Sequence, residues 1–117
     1  MSSPLPLAVV DAGDGRVRVE TVLRMVDGSE RDTSFTLLRD NAAWLATEIR
    51  RYLTDPAYHR HEEERHGEVI VLRPGGTDPE PQLGLLGRDA EDGASHGSIW
   101  LDHDAAERLA DALADLG

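Results

Sequence analysis

Part of this chain is written twice. Residues 34–49 and 98–113 lie over one another without a gap. Ser34/Ser98, Leu37/Leu101, Asp40/Asp104, Ala42/Ala106, Leu45/Leu109 and Ala46/Ala110 coincide, and Phe35/Ile99 and Ile49/Leu113 match in kind. Each copy reads as a strand end, a helix cap and an amphipathic helix. Two such modules in one short chain leave few architectures, because each apolar helix stripe needs a sheet face to lie on.

Strands are expected before each copy. Residues 5–10 are a short apolar run, and Asp11-Ala12-Gly13-Asp14-Gly15 is a turn cluster of the kind that closes a hairpin. Residues 16–26 alternate: Val17, Val19, Thr21, Leu23 and Met25 share one face, and Arg16, Arg18, Glu20, Val22, Arg24 and Val26 the other. Asp27-Gly28 signals another hairpin. Thr33, Phe35 and Leu37 continue a third strand. Asp40 is the expected N-cap of a helix whose stripe is Ala42, Leu45, Ala46, Ile49 and Leu53, ended by Asp55-Pro56.

The second half predicts strands over residues 69–72, 83–86 and 98–101, then a helix capped by Asp102 or Asp104 with Ala106, Leu109, Ala110, Leu113 and Leu116 inward. Residues 73–81 and 87–97 read as loops. The expected fold is α+β: duplicated βββα units forming an antiparallel sheet of about six strands, with two helices packed on one face. The whole chain, 1–117, is expected to be a single domain with halves 5–53 and 68–117 and a connector 54–67.

If Phe35, Leu37, Ile99 and Leu101 face the helices, Thr36 and Trp100 point the other way. Val22, Val26 and part of the run 69–72 join them there, with Arg18 and Arg24. An apolar patch on a helix-free face marks an interaction surface, and its simplest use is a homodimer. The duplicated sheet-plus-helix outline resembles PUR-type and Whirly-type single-strand binders, in outline and not in any motif. That resemblance implies nucleic acid bound across Arg16, Arg18, Arg24 and Trp100. Those modules have four strands before the helix where three are read here, and Glu20 interrupts the arginines.

Charge argues against that use. The net charge is −11, and residues 78–117 hold two Arg against ten acids, a net of −8. Such a surface repels phosphate, so nucleic acid and anionic membranes are disfavoured partners. The chain has no Cys and no Lys, which removes thiolate and Schiff-base chemistry. All-Arg basic usage with abundant Ala, Gly and Asp suggests a high-GC bacterium. The apolar start is too short for a signal peptide or a membrane span, so a cytoplasmic location is the default.

Three constellations carry possible chemistry. The connector, read as a short helix from Asp55 to Gly67, would place His59, Glu63 and His66 on one face, at spacings suited to a metal. Three histidines within eight residues, His59, His61 and His66, also suit a pH response. Gly93-Ala94-Ser95-His96-Gly97 matches the letters of a nucleophile elbow, without the strand before it or the helix after it that the elbow needs. Asp102-His103-Asp104 reads as a helix cap. No phosphate loop or dinucleotide fingerprint is present. The expectation is a non-enzymatic protein-interaction or regulatory domain, homodimeric, with no cofactor. The alternatives are a metal or small-ligand module on the connector histidines, and single-stranded nucleic-acid binding on the open sheet face.

Overall fold

A computed structural model describes residues 6–25, 27–55, 60–75 and 82–116. The strands are β1 (Leu7–Gly13), β2 (Arg16–Arg24), β3 (Glu30–Leu38), β4 (His61–Arg65), β5 (Glu68–Gly75), β6 (Gln82–Asp89) and β7 (Ser95–Leu101). The helices are α1 (Ala42–Thr54), entered through a 3-10 turn over Arg39–Asn41, and α2 (His103–Leu116). All strands join one antiparallel sheet in the order β1-β2-β3-β7-β6-β5-β4. The last strand of each half, β3 and β7, therefore meets at the centre, paired at Phe35 and Gly97.

The α+β class with both helices is as expected, and among the described residues the sheet has seven strands where about six were expected, three before α1 and four before α2. The second half contributes four strands, because the connector holds β4 where a helix was expected. Its Glu-rich sequence favours a helix locally. Pairing with the apolar run of β5 overrides that preference. His61, Glu63 and Arg65 are half-buried while Glu62 and Glu64 are exposed, a period of two. His66 and Gly67, at φ 54° and 83°, make the two-residue turn between β4 and β5.

The helix starts also differ between the two copies. Asp102 Oδ1 accepts the Ala105 N–H at 2.7 Å and caps α2. Asp40 does not cap α1: it sits inside the 3-10 turn, and Asn41 stands at the cap position with its side chain turned elsewhere.

One core lies between the sheet and the helices. Val17 and Val19, Phe35 and Leu37, Ile70 and Leu72, Leu83 and Leu85, and Ile99 and Leu101 point from alternate strand positions onto Leu45, Ile49, Leu109 and Leu113. Both helices thus cover the same sheet face, and they cross over to do so. Trp44 of α1 stacks near His61 and Arg65 of β4, while α2 packs against β1, β6 and β7. Among the described residues no helix is long and apolar enough to cross a membrane.

Candidate functional site

The helix-free face follows from strand parity. With Val17, Val19 and Thr21 buried, β2 turns Arg18, Glu20 and Val22 outward, opposite Thr36, Ser34 and Asp32 of β3. Arg18 and Glu20 are exposed and lie 3.8 Å apart. Val22 is half-buried at the rim of a groove of about 610 Å³ whose lining includes Ala8, Arg18, Glu20, Asp32 and Ser34. Arg24 ends β2 opposite Glu30, and Val26 lies outside the described residues.

Trp100 occupies the same face near the middle of the sheet. Its register partner on β6 is Gly84, and the indole lies so close over it that an added Cβ would collide with the ring. Gly84 in turn pairs with Arg73 of β5, whose guanidinium carbon is 5.5 Å from the Trp100 ring centroid. The side-chain gap at Gly84 thus lets one aromatic span three strands and meet a cation. Val71, on this face, is only 3% exposed, and Val69 and Leu86 are half-buried. Arg88 donates to Glu62 at the β4 border. That bond and the nearby charge hold the Glu62 carboxyl below its ordinary value.

Arg16 does not join Arg18 on this face. It reaches into a polar cluster that the sequence reading missed. Glu68, at the start of β5, is 1% exposed. Its Oε2 accepts the Leu38 N–H at 2.8 Å and the Asn41 side-chain amide at 2.6 Å. Its Oε1 stands 3.7 Å from Arg16 Nη1 and 3.4 Å from His96 Nδ1. Asn41 Nδ2 also donates to the Arg65 carbonyl at 3.2 Å. One carboxylate oxygen thus ties the end of β3 and the turn into α1 to the head of β5, and the other faces Arg16 of β2 and His96 of β7.

A bulge brings His96 there. The register of β7 against β6 slips between Gly87 and Arg88, with Gly97 at φ 99°. The extra residue re-aims its side chain inward, as bulges do. Ser95 and His96 belong to β7, so the letters Gly-Ala-Ser-His-Gly are a turn and a bulged strand. The Glu68 carboxylate is sealed from solvent and its bonds run to backbone and side chains of other elements, so the arrangement works as a clasp.

Of the connector residues, Glu63 and His66 lie on a strand and in a turn and not on a helix. Glu63 lies on β4, 3.1 Å from Arg65 Nη1 and 3.6 Å from His61 Nε2. His66 sits exposed in the turn beyond it, and His59 lies outside the described residues. Among the described residues no three His, Asp or Glu side chains are placed to hold a metal ion. The sequence of β4, His-Glu-Glu-Glu-Arg, carries no alternation that would have announced a strand, and no local pattern foretold Glu68. No protein-family model matches the chain, and no curated protein matches it.

Proposed function

We propose that this chain is a non-enzymatic protein-interaction domain, homodimeric, that binds a partner protein across the helix-free face of its sheet. The observation that supports this most is the character of that face. An antiparallel sheet with one solvated side alternates apolar inward and polar outward. Here Val22, Val69, Val71, Leu86 and Trp100 break the rule on the outward side. Around them stand ion pairs, Arg18 with Glu20 and Arg88 with Glu62. An apolar centre holding a Trp, with a charged rim, is the make-up of a protein-binding patch.

Nucleic acid is the weaker reading, since Arg16 is spent on Glu68 and Arg18 faces Glu20. The test is site-specific photo-crosslinking in cells. A photoreactive residue in place of Val22 or Leu86 is expected to capture protein, and one in place of the exposed Thr47 on α1 is not. Capture from Thr47 alone, or from neither face, would remove the proposal.

A further inference from the structure

We infer that the open edge of β1 is where a second copy of this chain docks, antiparallel and about a two-fold axis, so that the two sheets become one. This rests on the homodimer reading above and assigns it a surface.

The sheet ends in two edge strands, β1 and β4. Among the described residues the outer side of each pairs with no other strand, which leaves a row of backbone N–H and C=O groups that proteins normally guard with charge. β4 is guarded. Glu62 and Glu64 stand exposed on one side of it, and Glu63 with its neighbours Arg65 and His61 occupies the other. β1 is not guarded. Leu7, Ala8, Val9 and Val10 carry no charge, and the first charged side chain, Asp11, is folded back onto the Gly13 N–H at 2.8 Å.

The two sides of β1 are also left unfinished. Leu7 and Val9 pack only half-buried against the core. Val10 is half-buried on the opposite face. A neighbouring strand would complete both. In a two-fold antiparallel pairing the neighbour is β1 itself, so an apolar, uncharged strand meets an apolar, uncharged strand.

Charge allows it. Helix α2 packs on β1, and two acidic helices would approach across the axis. Three of the four carboxylates of α2 already face a basic side chain, Asp104 with Arg108 at 3.0 Å, Asp111 with Arg50 at 2.9 Å and Glu107 with His103 at 3.0 Å, and the fourth, Asp115, is exposed near the end of the helix. With the axis perpendicular to the sheet, both helix layers fall on one side. The helix-free faces then run together, doubling the patch around Trp100.

The chain has no Cys, so single cysteines test the pairing on a clean background. Ala8→Cys, Val9→Cys and Val10→Cys are oxidised with copper–phenanthroline, beside Glu64→Cys on β4 and Trp100→Cys on the face. At least one β1 cysteine is expected to link two copies covalently, since paired strands hold Cβ atoms within disulfide reach, and neither control is expected to link. Light scattering on the wild type is expected to give a dimer, and Ala8→Glu combined with Val10→Glu a folded monomer of half the mass. A wild type that is monomeric at its highest soluble concentration overturns this inference and the homodimer reading together. A dimer that links through Glu64→Cys or Trp100→Cys and not through β1, or that survives the double Glu variant, overturns the β1 edge alone.

Discussion

His96 Nδ1 stands 3.4 Å from Glu68 Oε1. The two residues come from strands that are not neighbours in the sheet, with β6 between β5 and β7. They meet because the bulge at Gly97 turns His96 inward while Glu68, at the head of β5, reaches across to the end of β3. The carboxylate is a fastening point, and its loss is predicted to open the corner where β3 becomes α1. Removing one partner of a buried, hydrogen-bonded ionic cluster costs about 3–5 kcal/mol. Glu68→Ala is expected to lose that much in urea unfolding. Glu68→Gln, which keeps an oxygen for the Leu38 N–H, is expected to lose about 1–3 kcal/mol. A Glu68→Ala protein within about 1 kcal/mol of wild type, the net value of one ordinary hydrogen bond, would show that the cluster does not hold the corner.

Gly97 is predicted to be irreplaceable. Its φ of 99° is strained for any residue with a side chain, and a Cβ there would run into the Ser34 carbonyl oxygen across the β3–β7 seam. That seam is where the two halves of the sheet join. Gly97→Ala combines backbone strain of about 1–3 kcal/mol with a steric clash against main chain. The expected outcome is a fall of at least about 2 kcal/mol, with faster hydrogen exchange at the amides near Phe35. Protection there equal to wild type would mean that the seam does not depend on this geometry.

The sequence disclosed the strands that alternate and concealed those that do not. Val17, Val19, Phe35 and Leu37 were legible as a buried set because period two leaves them all on one face. The apolar stripes of both helices were legible for the same reason at period 3.6. β4 was hidden, because His-Glu-Glu-Glu-Arg has no apolar pattern and its strand state comes from pairing with β5. Glu68 was hidden in another way. A single Glu before an apolar run looks like a solvated residue, and its burial depends on Leu38, Asn41, Arg16 and His96, all distant in sequence. The Trp100 side of the sheet followed from parity. Its seat on Gly84 did not, since that needs the register between β6 and β7.

The β6–β7 turn is predicted to give way to acid through Asp89. Its Oδ1 accepts the N–H groups of Asp92 at 3.1 Å and Glu91 at 2.8 Å. The Asp92 bond first, and then that of Glu91, holds the carboxyl below its ordinary value of 3.8. A carboxyl whose pKa is lowered by folding stabilises the fold above its unfolded value, and loses that contribution as pH falls through its folded value. The turn should therefore be intact at neutral pH and loosen below pH 3.8. NMR titration of the Glu91 and Asp92 amides is the check. In Asp89→Asn these amides are expected to show no acid transition. A transition that persists unchanged in the variant would assign it to another group.

The charges on β4 are predicted to keep its edge solitary. Glu62 and Glu64 stand exposed on a strand of five residues, and its outer side pairs with no other described strand. Their carboxylates repel a second strand that would otherwise find a ready row of N–H and C=O groups. Replacing both with Val leaves an apolar-faced edge beside Val69 and Val71, their register partners on β5. The fold should survive, because Val has a high strand preference and both positions are exposed. Solution behaviour should change: the double variant is expected to associate beyond the wild-type state in a concentration-dependent way, seen by sedimentation velocity, and to bind an amyloid-sensitive dye on standing. High salt on the wild type should move it in the same direction, since screening shortens the reach of the guarding charges to a few ångströms. If the variant sediments like the wild type at every concentration, the guarding lies in the shortness of β4 and not in its carboxylates.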